Sequence, residues 1–213
     1  MTVAASNHII ICLLEVSCKV LLDMALIPLE QIRVFRDSTP NVLALRLQEM
    51  EVCQYFGVIF SPKGIASLTK QDMTGFLSFK QNHRWREISR DDVTADMERL
   101  RTALLVLVDQ SRTVTERLNA LEPGRGQFTV GYLGKAKLTP LLLVISPKEY
   151  GVWNDYSERA LANMGVMPVF EEGMKLGDQY TLVNEKLLGL AEQYNVSLWW
   201  LDIILERIAR LVR

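Results

Sequence analysis

Histidine and cysteine are scarce in this 213-residue chain, which has only His8, His83, Cys12, Cys18 and Cys53. No Cys-x-x-Cys pair occurs and the histidines lie far apart, so the pattern argues against a zinc site and implies no cofactor. An odd, sparse set of thiols with no cleavable leader points to a reducing cytoplasm rather than a disulfide framework. An excess of one charge is also missing. Lys and Arg number 24 against 25 Asp and Glu, a formal net charge of −1. That excludes a general polyelectrolyte binder, and any phosphate contact must come from a local patch. No Gly-x-x-x-x-Gly-Lys-Ser/Thr occurs, so the chain would not hydrolyse nucleotide itself. Solenoid-type repeats and low-complexity tails are absent as well.

What is present is apolar residue at helical spacing. The 49% hydrophobic fraction suffices for one well-buried domain or two small lobes sharing a core. The run Ile9 to Ile27 has the hydrophobicity of a membrane span, yet Glu15, Lys19 and Asp23 stack on one helical face. Three charges at the centre of a bilayer would cost roughly 2.5–3.5 kcal/mol each. The segment therefore reads as an amphipathic helix with a wide apolar face.

Pro28 and Pro40 bracket a short helix, and Val42 to Tyr55 continues with Leu43, Leu47 and Met50 until Gly57 ends it. Leu68 to Phe79 forms a helix capped by Thr69 with Asp72 three residues on. A long amphipathic helix is predicted from Asp91 or Asp92 through Val108, and Thr113 to Glu116 is a capping box for a helix ending near Leu121. Ser146-Pro147-Lys-Glu149 reads as another capping box that starts a helical turn. Leu133 to Ile145, Asn154 to Met164, Tyr180 to Tyr194 and Ser197 to Arg210 are helical. At most, Gln127 to Tyr132 or Val166 to Phe170 adds a short strand. Glu122-Pro-Gly-Arg-Gly-Gln127 is the strongest break, which divides the chain into an N-terminal lobe, 1–122, and a C-terminal lobe, 123–213.

Gly131-Tyr-Leu-Gly134-Lys135-Ala-Lys137 places a glycine-bearing basic turn before an apolar helix, and Tyr150-Gly-Val-Trp153-Asn154-Asp155 follows as an aromatic step into the next one. This order resembles the second half of the helix-hairpin-helix DNA glycosylase superfamily. The resemblance implies a hairpin whose backbone amides grip a phosphate, with Lys135 and Lys137 adding charge. It also implies a step that presents an acid to the lesion. Two departures stand out: the glycines are three apart where two is usual, and the acid's place holds Asn154, which cannot ionise. Asparagine is a strong N-cap residue, the reading preferred here. Asp155 lies about a third of a turn away and would replace the acid only in a shifted register. The plain alternative for the basic turn is a helix start with two solvated lysines.

A longer resemblance runs over about residues 61–205, through Phe76 to Trp85, Arg90, Val114 to Leu118, Trp153-Asn154, Gly177-Asp-Gln-Tyr180, Asn184 and Leu198-Trp-Trp-Leu-Asp202. It is similar to an uncharacterised bacterial helical module that accompanies McrB-type NTPases and other restriction or defence proteins. That similarity implies target sensing or nucleic-acid handling. Independently of it, five of the eleven residues Lys80 to Arg90 can be cationic. Arg84, Trp85, Arg86 and Arg90 suit phosphate contact plus stacking, or alternatively an exposed connector anchored by Trp85. Of Trp199 and Trp200, one leads into the core and the other to an interface. Arg207, Arg210 and Arg213 form a basic stripe.

Together these readings predict an all-α, two-lobed protein with a helix-hairpin-helix-like C-terminal lobe. It is expected to be a non-catalytic module binding nucleic acid, with DNA the foremost candidate, through Gly131, Gly134, Lys135, Lys137, Arg84, Trp85, Arg86 and Arg90. The rival is a module docking on a partner NTPase or nuclease through its apolar N-terminal helix. A third reading retains catalysis with Asp155 as the acid.

Overall fold

The computed structural model describes residues 29–77 and 90–211. The protein is all-α, and no strand occurs among the described residues, so Gln127 to Tyr132 and Val166 to Phe170 are irregular connections. The helices are α1 (residues 29–38), α2 (Val42–Ile59), α3 (Pro62–Ala66), α4 (Lys70–Leu77), α5 (Arg90–Val93) and α6 (Met97–Val108). They continue with α7 (Val114–Leu121), α8 (Lys135–Ile145), α9 (Asp155–Asn163), α10 (Leu176–Tyr194) and α11 (Leu198–Leu211). The predicted helix at Ile9 to Ile27 and the basic residues Arg84, Trp85 and Arg86 lie outside the described residues.

Helix starts follow from local chemistry. Thr69 and Asp72 exchange bonds as expected, with the Asp72 amide donating to the Thr69 hydroxyl at 3.1 Å and the Thr69 amide donating to the Asp72 carboxylate at 2.9 Å. Thr113 and Glu116 form the complete capping box of α7. Two boundaries differ from the sequence reading. α2 does not stop at Gly57 but runs to Ile59, because Ser61-Pro62 is the real stop and caps α3 instead. Gly57 sits where α2 nears α8, with the Val144 carbonyl 4.0 Å from the site of a Cβ. The long helix predicted from Asp91 or Asp92 is broken into α5 and α6, because the Asp96 carboxylate accepts the Arg99 amide and restarts the helix. Ser146 to Glu149 makes a turn closed by its own backbone rather than a helix start.

α8 is the central element. Leu138 through Val144 are all buried, as an all-round apolar sequence requires. α2 and α6 pack on α8, α7 packs along α10, and α9 along α11. Phe56, Phe60 and Phe76 form an aromatic knot at the other end, with centroids 4.9–5.9 Å apart. The core is continuous across the Glu122 to Gln127 break, joining Leu100, Leu104 and Leu118 to Leu138, Trp153 and Tyr180. Trp200 enters it, while Trp199 is half-buried at its edge.

The capping acids make stability pH-dependent. Hydrogen bonds from Thr113 hold the Glu116 carboxyl below its ordinary range, and bonds from Thr69 do the same for Asp72. The folded protein therefore binds these protons more weakly than the unfolded chain, and their stabilisation is lost as pH falls from about 5 toward 2. Glu49 acts in the opposite sense, since burial raises its carboxyl. Replacing Glu116 with Gln is expected to flatten the acid limb of a plot of thermal midpoint against pH while leaving its slope above pH 6 unchanged.

Candidate nucleic-acid interface

Residues 151–154 are buried outside any helix between α8 and α9, with no strand among the described residues to pair with, so side chains must satisfy their backbone. The Thr139 hydroxyl on α8 accepts the Trp153 amide at 2.9 Å. Asn184 on α10 accepts the Gly151 amide at 2.7 Å and donates to the Glu149 carbonyl at 2.8 Å. The Tyr180 hydroxyl, fully buried, donates to the Gly151 carbonyl at 2.8 Å. Burial pushes the Tyr180 phenol well above its ordinary range, which keeps it a donor. A side chain at Gly151 would force Leu187 to move, since a Cβ would come within 2.6 Å of its Cδ1 and 3.0 Å of its Cβ. Tyr150 is held by Arg117, itself buried, whose guanidinium donates to the phenol oxygen at 2.8 Å and to the Leu107 carbonyl at 2.9 Å.

This architecture settles the role of Asn154. It is 3% exposed, and its Oδ1 accepts the amides of Tyr156 at 2.8 Å and Ser157 at 3.2 Å. The Ser157 hydroxyl returns the bond to the Asn154 amide at 2.8 Å, completing a capping box for α9. Asn154 is thus a buried cap. Asp155 is the exposed first residue of α9, where a negative charge suits the helix dipole.

The two lysines of the basic turn have separate fates. Lys135 is turned inward: its ammonium pairs with Glu158 on α9 and lies 4.4 Å from the Trp153 ring centroid. The same Glu158 oxygen accepts the Trp153 indole N–H at 3.0 Å. Lys135 therefore corrects the expectation of a free phosphate contact; it is the tie between α8, α9 and the buried segment. Lys137 donates to the Tyr132 carbonyl at 2.7 Å. Partial burial lowers its pKa, against an opposing pull from Asp92.

The turn itself also differs from the glycine-based expectation. Left-handed backbone falls on Tyr132, at φ 61°, and on neither Gly131 nor Gly134. A tyrosine in that region costs of order 1–2 kcal/mol. Two bonds brace it: Leu133 N–H to the Val130 carbonyl at 3.2 Å, and the Lys137 bond to its own carbonyl. The ring is 67% exposed. Gly131 has nothing within 4 Å of a built Cβ, and Gly134 has only a Pro123 carbon at 4.0 Å. The backbone can therefore be approached closely. Gly134 is the N-cap of α8 and gives no side-chain bond, and the first turn of α8 contains no acid. Residues 122–134 separate α8 from α7, so the turn follows an irregular connection rather than a helix.

Arg90 opens α5, away from the turn in sequence. Arg207 and Arg210 are spent on stacking and pairing: Arg207 lies over the Phe35 ring, and Arg210 bonds Glu206 and lies over the Tyr156 ring. Sequence reasoning missed Glu158, Thr139 and Tyr132. For Tyr132, an aromatic residue between two glycines was an available signal; nothing in the spacing of Thr139 or Glu158 marked their partners. Among the described residues no group of His, Cys, Asp and Glu could hold a metal ion, and no helix is long and apolar enough to cross a membrane. No protein-family model, curated protein or solved structure matches this chain.

Two measurements check the node. Thr139→Val leaves the buried Trp153 amide without an acceptor and is expected to cost about 1–3 kcal/mol in chemical denaturation. A double-mutant cycle of Lys135→Met with Glu158→Gln is expected to show a coupling of about 0.5–1 kcal/mol, the scale of a partly exposed ion pair assisted by a ring.

Proposed function

We propose that this protein is a non-catalytic nucleic-acid-binding module that holds a phosphate at the start of α8. The observation that carries this reading is the helix start itself. It has no side-chain cap, no acid in its first turn, and an exposed turn in front of it with room for close approach. Free amide donors and the positive end of the helix dipole make such a terminus an anion site. Lys137 adds charge at the same turn, and the braced, exposed Tyr132 offers a ring to a neighbouring sugar or base.

Asn154 supports binding rather than catalysis: its carbonyl oxygen is already occupied by two amides, and it cannot serve as an acid. Duplex DNA is the substrate class that fits a backbone grip at a helix start. The resemblance to helical modules that accompany McrB-type restriction proteins supports a target-sensing role in a cytoplasmic restriction or defence system.

Gly134→Asp is the decisive variant. Gly134 has extended backbone (φ −94°, ψ −172°), which aspartate adopts readily, and its carboxylate would cap α8 and occupy the anion position. It is expected to raise stability by a few tenths to about 1 kcal/mol and to weaken duplex DNA binding at least about tenfold in a salt-titrated anisotropy assay. Lys137→Ala is expected to reduce the salt slope by about one, and Lys135→Ala to leave that slope unchanged. Failure of the wild-type protein to bind duplex DNA at low salt, or equal binding by Gly134→Asp, overturns the proposal.

A further inference from the structure

α2 is apolar on two opposite faces. Its inner face carries Leu45, Val52, Phe56 and Ile59 into the core, where the helix packs on α8. Its outer face carries Leu43, Leu47, Met50 and Val58, which are 67%, 56%, 55% and 71% exposed. With Gln54, these positions recur every three or four residues, so they form one stripe along the helix. Scattered exposed apolar residues need no explanation, but a continuous stripe on one helix does.

We propose that the segment Ile9 to Ile27 of the same chain lies on this stripe as a helix. Size, connection and chemistry all favour that occupant. Nineteen helical residues span about 28 Å, against about 22 Å from Leu43 to Val58. The segment joins α1 at Pro28, and residues 39–41 turn α1 into α2. Only the ten-residue α1, about 15 Å long, separates the end of the segment from the start of the stripe. Such a tether gives an effective concentration in the millimolar range, which a second copy of the chain does not match in dilute solution. The segment's Ile9, Ile10, Leu13, Leu14, Leu21 and Leu22 need an apolar surface, while Glu15, Lys19 and Asp23 share one face that stays in water.

The native thiols make this testable in the full chain. With Cys12 and Cys53 replaced by Ser and Gln54→Cys placed in the middle of the stripe, a short bis-maleimide should link residue 54 to Cys18, on the flank of the segment's apolar face, within one chain. The yield should be independent of protein concentration and lost when Cys18→Ser is added. As a second readout, Lys19 is a trypsin site that the docked helix protects. Leu47→Asp/Met50→Asp should speed its cleavage about tenfold or more while residues 97–211 stay protected. Cross-links only between chains would assign the stripe to a second copy and overturn the proposal. Absence of any cross-link, or equal cleavage at Lys19 in both proteins, would overturn it too. Neither result depends on DNA binding, which is measured separately at α8.

Discussion

The structure depends on burying a non-helical segment that has no sheet to join. Residues 151–154 are buried in an all-helical protein, and every backbone polar group left unpaired there would cost about 1–3 kcal/mol. The solution is distributed over three helices: Thr139 from α8, Tyr180 and Asn184 from α10, and Ser157 from α9. Each of these side chains is fixed by its helix, so satisfying the segment also sets how the helices meet. The node is polar and buried, and its bonds tie three helices to one segment, which favours a single arrangement of the core; the Asn154 Nδ2 is the buried atom there left without a partner.

The same node determines what is left for binding. Trp153 needs a partner for its indole N–H, and Glu158 supplies one; Glu158 in turn takes Lys135 across the ring. One of the two lysines of the basic turn is thereby spent on structure. What stays outward is backbone: the uncapped start of α8, two unhindered glycines and the Tyr132 ring. The proposed interface is thus made mainly of amide donors and a dipole, with Lys137 as the adjacent charge. A chain of nearly balanced charge can bind phosphate this way, because the field that matters is local.

Arginine use follows the same division. Arg117 is buried and donates to a carbonyl and a phenol, securing Tyr150 at the mouth of the buried segment. Arg101 donates twice to the Leu68 carbonyl and fastens the loop before α4 to α6. Arg36 reaches the Tyr194 carbonyl at the end of α10. These guanidinium groups act as multi-donor ties between helix ends, a use that suits their fixed fork geometry better than it would suit lysine.

The sequence by itself determined the all-α class, most helix positions and the caps. Thr69 with Asp72, Thr113 with Glu116, and Asn154 are local devices whose partners lie two or three residues away, so spacing reveals them. Local reading went astray where a cap competed with periodicity, as at Asp96, or where a glycine was tolerated inside a packed helix, as at Gly57. Only the tertiary structure decided the fate of Lys135, whose partner Glu158 lies 23 positions on, and the purpose of Thr139, Tyr180 and Asn184, whose acceptors and donors lie 14 to 35 positions away. The reason is physical: the sequence lists every polar group, but which of them meet is set by how α8, packed on α2 and α6, α9 on α11, and α10 on α7 and α11 are brought round one core. A lysine beside a glycine turn reads the same in the sequence whether it faces a phosphate or a buried tryptophan.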